Sequence, residues 1–338
     1  MYLCLKLYLQ VDATLEKYLL TYEQGFKKEV VRICDMFKQR GKVFEYPYRY
    51  FNKSISYNSK HLVLATAKEM YLADIQKKRF TYGFSSYWSN SSYTIDDDLK
   101  LELGLDFHRD KLLVPYYHNA HTLKRIKEGK LMNMKLIKRK SGWHALIYVC
   151  YEPEPTKSER CMGVDIGIKV PAVCAISQTQ YRFFGNGRQI RFEQRRYCSH
   201  IKAMQRGKQF GKLKRYEHKL SHILNNFDHH ISSEIIAYAI ENDVGVIKLE
   251  NLTAINQKFK VSGTPNIYLW SYRRLQEYIA YKASLNGIKV KYINPYHTSQ
   301  ICPSCGQLNH AKDRKYICSC GYHNHRDIVA AINILNAL

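Results

Sequence analysis

The spacing of apolar residues predicts helices in the first quarter of the chain. Residues 1–10 alternate loosely between apolar and polar positions, as a strand does, and apolar residues from Leu19 to Ile33 then recur at steps of three and four. Such steps return to one face of a helix, so the pattern predicts a helix over residues 14–40. A second helical pattern covers residues 61–80.

Short apolar runs between about residues 99 and 153 predict strands, because each run is bounded by charge clusters or glycine. They suggest a small barrel or sheet that the first ten residues would complete. We therefore expect a β-barrel domain made of residues 1–12 and 90–155, with a helical insertion at residues 13–89.

The second half of the chain has a different pattern, in which strands alternate with helices. Residues 161–177 predict two apolar strands around a turn, and residues 244–251 predict a buried strand. A long basic helical stretch lies between them, and a last apolar helix begins at Asp327. Alternating strands and helices predict a helix-covered sheet, so residues 156–338 are expected to form an α/β domain.

Charge changes the picture by indicating a partner. Lysine and arginine number 53 against 29 aspartate and glutamate residues, a formal charge of +24 that is spread along the whole chain. Such a balance is typical of proteins that bind an extended polyanion. The 28 tyrosines include several beside basic residues, as at 46–53, where they can stack on unpaired bases or form half-buried edges of the core.

The sequence argues against a membrane or secreted protein. No apolar run approaches the roughly 18 residues of a membrane span. The start of the chain carries Lys6 within its apolar stretch and has neither a basic n-region nor a small-residue cleavage site, so it is a poor signal peptide. We expect a cytoplasmic protein that has no membrane partner and associates with the nucleoid when bound to DNA.

Four of the ten cysteines are closely spaced near the C-terminus. They form a C-x2-C pair and a C-x-C pair with twelve residues between them, at Cys302, Cys305, Cys318 and Cys320. Four thiolates so arranged suit tetrahedral zinc, and four protein ligands make the site structural rather than catalytic. A zinc ribbon is expected at residues 297–322. Two alternatives are that His323 or His325 replaces one sulfur, or that the thiols bind no metal.

Three carboxylates stand out by their placement. Asp165 lies inside the apolar run MGVDIGI, Glu250 ends VGVIKLE, and Asp327 begins the last helix. A buried aspartate requires pairing or a metal, and the carboxyl end of a buried strand is where α/β sheets place their sites. Taken singly, each has an ordinary explanation: a turn residue, a surface charge at a strand end, and a helix cap.

Four ordered motifs of the second half resemble the RuvC-type nuclease domain, of RNase H-like fold, found in the TnpB family. These transposon-encoded proteins are relatives of type V CRISPR effectors. The motifs are GVDIGIK, LENL, the stretch YKASLNGIKV that leads to TSQICPSCG, and CSCGYHNHRDIVAAINIL, at residues 163–169, 249–252, 281–306 and 318–335.

The resemblance implies an active site. In the family the three acidic motifs supply metal ligands, which here fall on Asp165, Glu250 and Asp327. They would hold two Mg²⁺ ions, or Mn²⁺ in their place, for phosphodiester hydrolysis that leaves 5′-phosphate and 3′-hydroxyl ends. Arg326 would contact the scissile phosphate or play a structural part. The chain departs from the family pattern at Val329, where asparagine is usual, and at His325, where an acid is usual.

The resemblance also implies partners. The first half fits the guide- and target-binding lobe of the family, with a wedge-like barrel and a helical recognition insertion. The protein is then expected to bind a guide RNA from its own transposable element and to cut guide-matched double-stranded DNA beside a short flanking motif. The alternatives are a cleavage-deficient, guide-directed DNA-binding regulator and a zinc-ribbon accessory protein of transposition that binds nucleic acid without a guide.

Overall fold

The computed structural model of the chain describes most of its 338 residues. The described ranges are 2–51, 55–73, 85–95, 100–104, 111–167, 169–216, 218–251 and 267–337, with the side chains of 267–271 excluded. They form two compact units, Met1–Glu152 and Pro153–Leu338.

Two helices of the first unit follow the predicted pattern. Helix α1, Ala13–Arg40, begins at Asp12, whose side chain accepts a hydrogen bond from the Leu15 backbone at 2.7 Å, and ends at Gly41 in the left-handed conformation. Its apolar face is buried, as the three- and four-residue spacing predicts. Helix α2 spans Lys60–Leu72, and the rest of the predicted second helix lies largely outside the described residues.

The first unit also contains a seven-stranded sheet and a short helix, α3, at Ala120–Glu128. All seven strands pair antiparallel, in the order β2-β6-β7-β1-β5-β4-β3. The strands are β1 Tyr2–Leu9, β2 Ser86–Trp88, β3 Tyr93–Ile95, β4 Lys100–Leu103, β5 Leu112–Tyr117, β6 Lys130–Arg139 and β7 Gly142–Cys150. Strand β2 lies inside the range 13–89 that was predicted as a helical insertion, so the sheet resumes earlier in the chain than expected.

The edges of this sheet lie close together although no strand pairing joins them among the described residues. Strands β2 and β3 are the two edges, yet only residues 89–92 separate them in the chain, and that segment spans at most ~18 Å. The hydroxyl of Tyr93 on β3 also donates to the carbonyl of Met132 on β6. The sheet is therefore curled, and across the seam between its edges the Tyr93 hydroxyl joins β3 to β6, the strand beside β2.

The second unit is built around a five-stranded mixed sheet. Strand β8 is central. On one side, β9 pairs antiparallel with β8 and β10 pairs antiparallel with β9; on the other side, β11 pairs parallel with β8 and β12 pairs parallel with β11. The strands are β8 Cys161–Asp165, β9 Ala172–Ala175, β10 Tyr181–Phe184, β11 Val246–Glu250 and β12 Lys289–Ile293. The predicted strand pair around a turn and the predicted buried strand are confirmed.

Helices cover both faces of this sheet. The predicted long basic stretch is three helices, α4 Gly187–Arg206, α5 Phe210–Tyr216 and α6 Lys219–Glu241, and these are followed by α7 Ile267–Leu285 and α8 Arg326–Asn336. Apolar residues of α6 and α7 pack on one face, against Met162 and Val164. Helix α8 packs on the opposite face, where Ile328, Ala331 and Ile332 contact β9.

A small loop domain precedes α8. Its two short strands, β13 Lys315–Ile317 and β14 His323–His325, pair antiparallel and lead directly into the helix. Across the described ranges, none of the helices combines the length and apolar character needed to cross a membrane.

Candidate acidic centre and cysteine cluster

The sheet places two of the predicted carboxylates side by side. Strands β8 and β11 run parallel with Val164 opposite Leu249, so the next residues, Asp165 and Glu250, end neighbouring strands at the same level. Strands lie about 4.8 Å apart, and aligned residues of a parallel pair share a face. Since Val164 points into the α6 and α7 core, Asp165 and Glu250 lie on the face that α8 covers.

Two contacts bring α8 close to this face. A Cβ atom at Gly163 would lie 2.2 Å from the carbonyl oxygen of Ala331 and 2.4 Å from the nitrogen of Leu335, so only glycine allows the helix this close approach. At the C-terminal end of α8, the Lys248 ammonium donates to the carbonyls of Leu335 at 2.8 Å and Ala337 at 2.5 Å. A cation at a helix C-terminus is favourable. These contacts fix the helix along the sheet.

The first turn of α8 carries the third carboxylate. Asp327 is 6% exposed, and the imidazole Nδ1 of His325 accepts a hydrogen bond from its backbone nitrogen at 3.3 Å, which caps the helix. The Arg314 guanidinium donates to Oδ1 of Asp327. The other oxygen, Oδ2, is buried without a hydrogen-bond partner, and its nearest basic atom is the His325 Nδ1 at 3.9 Å. One acceptor of Asp327 is therefore unsatisfied.

Electrostatics shows that the three carboxylates face a common region. Burial is the largest cause that raises the pKa of Asp165 well above 3.8, and the negative charges of Glu250 and Asp327 raise it further. The charges of Arg326 and Arg314 lower it only in part. The two arginines therefore do not fully offset the burial and the two carboxylates that disfavour the charged form of Asp165.

Glu250 is held by a polar contact from Thr298, which lies just before the cysteine loop, residues 302–320. The hydroxyl of Thr298 donates to Oε1 of Glu250, and the Gln276 amide donates to its carbonyl at 2.8 Å. Burial raises the pKa of Glu250, and the Thr298 hydrogen bond opposes that rise. Asn333 of α8 donates to the carbonyls of Thr298 and Ile301, each at 2.7 Å, so the helix also positions the residue that holds Glu250.

The three carboxylates do not close around a single point. Among the described residues, the four cysteines are the one set of three or more potential ligands whose donor atoms all lie within 4.8 Å of one another. The charges of Glu250 and Asp327 are nevertheless near enough to Asp165 to raise its pKa. We call Asp165, Glu250 and Asp327 the acidic centre.

Two arginines border the acidic centre, and sequence reasoning found one of them. Arg326 is exposed, and its guanidinium lies 3.4 Å from the Ser299 hydroxyl. Arg314 makes the direct contact with Asp327 and was missed, because it lies thirteen residues earlier, in the cysteine loop. Its carbonyl accepts from the Arg326 nitrogen at 2.9 Å, which places the two residues side by side.

The four cysteines form a set with the dimensions of a tetrahedral site. The Cys302 and Cys320 sulfurs lie 3.7 Å apart and those of Cys305 and Cys318 lie 3.6 Å apart. A zinc ion bound by four sulfurs at about 2.3 Å gives sulfur separations of about 3.8 Å, whereas a disulfide requires about 2.05 Å. The set is therefore compatible with structural zinc and holds four sulfurs without His323 or His325.

Local sequence explains this geometry. Gly306 and Gly321 follow the two cysteine pairs with φ of 74° and 90°, a conformation that favours glycine, and each turns the chain behind its pair. The Cys302 nitrogen donates to the Gln307 carbonyl, and that of Cys318 donates to the Tyr322 carbonyl.

The cysteine loop and α8 share a small core. Val329, the departure from the family pattern, is fully buried against Cys302, Tyr316 and Cys318. The side chain thus packs the helix onto the loop.

Comparison with known families covers both parts of the site. A family described as "Probable transposase" matches residues 145–256, which include Asp165 and Glu250. A family described as "Cas12f1-like, TNB domain" matches residues 272–334, which include the cysteines and Asp327.

Individual proteins show the same relationship. The chain is 30% identical over 216 residues to the CRISPR-associated endodeoxyribonuclease Cas12f1 of Sulfoacidibacillus thermotolerans, covering 58% of the chain and 50% of the relative. It is 32% identical over 128 residues to a TnpB-like protein of Methanocaldococcus jannaschii, covering 36% and 45%. The chain thus spans about half the length of these relatives.

A solved structure agrees at the level of the fold. The Cas12f1 chain of a Cas12f1–sgRNA–target DNA complex superposes with a TM-score of 0.60 at 14% identity, covering 95% of this chain and 81% of that one. The two family matches and the relatives support a TnpB-family protein, and the solved structure supports the fold.

Proposed function

We propose that the protein is an RNA-guided DNA endonuclease of a transposable element, whose second unit is a RuvC-type nuclease domain of RNase H-like fold. The observation that carries the proposal is the acidic centre: carboxylates from residues 165, 250 and 327 lie near one another on one face of the sheet, with negative charge in excess. An excess of buried carboxylate charge is what a divalent-cation site requires.

The donor set fits Mg²⁺. All three side chains offer hard oxygen ligands, and the orphaned Oδ2 of Asp327 lacks the partner that a cation would provide. The carboxylates do not close around one point, and together the three side chains would offer oxygen ligands for two ions. Bound ions would lower the pKa of a water nucleophile and stabilise the charge on the departing 3′ oxygen.

The chain's own residues perform the remaining tasks. Thr298 holds one oxygen of Glu250 and so orients the carboxylate. Arg314 neutralises part of the charge of Asp327, while Arg326, which is exposed, would contact the scissile phosphate. A guanidinium binds phosphate through paired N–H donors. The close approach of α8 at Gly163 keeps Asp327 beside the two strand ends.

The zinc ribbon has a structural role in this proposal. Four cysteine ligands leave no open position on the ion, so zinc there would stabilise the loop that carries Arg314 and packs on Val329. The ribbon runs from about residue 297 to the start of α8, somewhat beyond the predicted end at 322, because β14 belongs to its hairpin.

Guide RNA and double-stranded target DNA are the proposed partners. The support is the charge of +24 together with the names of the relatives, among them an endodeoxyribonuclease and an sgRNA–target DNA complex. Base pairing would supply sequence specificity while basic side chains hold the phosphate backbone. The curled sheet of the first unit is the proposed wedge-like domain, and α1 and α2 belong to the recognition insertion that contacts the guide and target.

One experiment tests the whole proposal. The full chain is purified from cells that carry its native locus, the co-purified RNA is sequenced, and a plasmid matched to that RNA is incubated with Mg²⁺. We expect one defined RNA and cutting that ends on addition of EDTA. Asp165→Ala should slow cutting by on the order of a thousandfold, because several kcal/mol of transition-state stabilisation are lost. The RNA should still co-purify with this variant.

Three results would change the proposal. Random cellular RNA would favour the zinc-ribbon accessory protein. A defined RNA with guide-directed binding but no cutting would favour the cleavage-deficient regulator. Undiminished cutting by Asp165→Ala would remove Asp165 from the active site.

A further inference from the structure

The edge strand β10 carries exposed aromatic side chains on the face of the acidic centre. Phe183 and Tyr181 are 43% and 39% exposed, and their rings meet edge to face with centroids 6.2 Å apart. Their neighbour Phe184 points to the opposite face, into the core formed with α6 and α7. Because side chains alternate along a strand, Phe183 and Tyr181 lie on the face that α8 only partly covers.

Strand register places Phe183 in line with the acidic centre. Val173 of β9 is paired with Asp165 on one side and with Phe183 on the other. Phe183 and Asp165 are therefore two strand spacings apart, about 10 Å, on one cross-strand row, and Glu250 continues that row beyond Asp165. Val173 is buried under α8, whereas Phe183 extends past the helix.

A second contact joins the same aromatic ring to Asp327. The His325 ring meets the Phe183 ring nearly at a right angle, 87°, with centroids 5.4 Å apart. His325 also caps α8 and approaches the Asp327 carboxylate at 3.9 Å. Two independent paths, through the sheet and through the helix cap, thus fix Phe183 relative to the acidic centre.

Exposed aromatics on an edge strand call for an explanation, because such edges invite unwanted pairing. Single exposed apolar residues are ordinary, but here two aromatic rings and an imidazole form one cluster. Helix α4, which begins three residues after β10, carries six lysine or arginine residues against one glutamate. The charge of these surroundings fits a polyanion.

We propose that Phe183 and Tyr181 form a stacking platform for an unpaired nucleobase of the DNA strand whose phosphate lies at the acidic centre. This inference rests on the proposed nuclease function and adds to it a group that positions the substrate. An aromatic ring stacks on any base but requires the base to have a free face, so the platform accepts single-stranded and not duplex DNA. Stacking beside the phosphate holds the strand in register with the carboxylates.

Variants at position 183 separate stacking from packing. Phe183→Leu keeps an apolar side chain and removes the aromatic face, and Phe183→Trp keeps the face. Phe192→Leu is the matched control, because Phe192 is a similarly exposed phenylalanine, 55%, of the same unit but outside the row. All variants are made in the full chain and purified with its RNA.

The first measurement is the cutting rate on guide-matched DNA with a single abasic residue moved through the cut region. The unmodified sequence should be cut about tenfold more slowly by Phe183→Leu, the loss expected for one base stack, and normally by Phe183→Trp and Phe192→Leu. One abasic position should slow the wild-type protein to the same degree and have no further effect on Phe183→Leu. Equal abasic profiles for Phe183→Leu and Phe192→Leu would overturn the proposal.

The second measurement does not require cutting. Single-stranded DNA that contains 2-aminopurine is bound to Asp165→Ala protein, and quenching of its fluorescence reports stacking. We expect quenching that Phe183→Leu removes and Phe192→Leu retains. If this result is obtained while the wild type fails to cut, the nuclease proposal fails and the platform stands.

The opposite results are equally clear. Absent quenching, or equal quenching in both leucine variants, overturns the platform even when matched DNA is cut. A change in oligomeric state of Phe183→Leu with unchanged quenching would assign the β10 edge to pairing between copies of the chain, and would also overturn it.

Discussion

The cysteine cluster and the acidic centre meet at α8 but differ in how they are built. The four sulfurs come from one stretch of nineteen residues, 302–320, and already have the separations of a tetrahedral site. The carboxylates come from positions spread over more than 160 residues. Burial raises the pKa of Asp165, and the charges of the other two raise it further instead of stabilising its charged form. The first set is arranged for binding alone, whereas the second remains electrostatically incomplete.

This difference teaches how the molecule divides stability from reactivity. A closed cluster with four local ligands can fold around an ion and remain unchanged. An open centre with unbalanced charge is costly to fold but is ready to bind cations and phosphate. Arg314 and Val329 connect the two, since one contacts Asp327 from the loop and the other packs the helix on the cysteines.

The largest effect is expected when the cysteine cluster is broken. Cys302→Ser combined with Cys305→Ser should reduce bound zinc from about one per chain to near zero, because two of four ligands are lost. The loop should loosen, and cutting should fall along with it because Arg314 loses its support. Metal analysis and limited proteolysis measure these changes. The control is Cys198→Ser, and unchanged zinc content in the double variant would disprove the metal assignment.

A smaller effect is expected when the contact between Arg314 and Asp327 is removed while the cysteines and the carboxylates are kept. Arg314→Met removes the charge beside Asp327 and should lower activity or Mg²⁺ affinity about 10- to 100-fold, the range for partners that orient a ligating carboxylate. Zinc content should not change. Mg²⁺ titrations of the cutting rate test this.

Lys169→Met is the matched control for Arg314→Met. It removes an exposed ion pair with Asp313 in the same loop, and surface pairs contribute little. If Lys169→Met reduced activity as much as Arg314→Met, the special position of Arg314 would be refuted.

The smallest effect concerns the free energy of unfolding, and it tests how poorly the charge of Asp165 is compensated. Asp165→Asn should stabilise the metal-free protein by about 1 kcal/mol at neutral pH, because it removes a half-buried, poorly compensated charge. The folded-state pKa of Asp165 is raised, so the folded protein holds this proton to a higher pH than the unfolded chain does. Wild-type stability therefore declines as pH rises from 3.8 through the folded-state pKa, and the gain from asparagine appears over the same interval.

Unfolding by urea in EDTA at several pH values measures this gain. Asp313→Asn is the control, since hydrogen bonding to Lys169 lowers the pKa of Asp313 and its pH dependence should have the opposite sign. An Asp165→Asn gain that persists unchanged at pH 3 would show that ionisation is not the cause. Added Mg²⁺ should stabilise the wild type and not the asparagine variant.

The sequence predicts those parts of the site that depend on local pattern. Strands β8 and β11 are apolar runs, α8 follows a helical period, and the cysteine spacing indicates the ribbon. The carboxylates could be named because each stands at the end of such an element. Their proximity is a tertiary property, and it was reached through the family resemblance.

Other features have no local signal. Arg314 is one of 53 basic residues, and its neighbour Lys315 looks equally suitable in the sequence. The small strands β2 and β3 are three residues each, too short for alternation to be recognised, so the seam of the curled sheet was not predicted. Phe183 lies in line with Asp165 only through the register of three strands.

Gly163 has a consequence for classifying related chains. The hydrogen atom that serves as its side chain sets how near the last helix can come to the central strand. A relative with alanine or serine at this position would keep every acidic residue and still hold its third carboxylate too far away. The residue two places before the first aspartate should therefore be compared together with the three acids when related chains are classified.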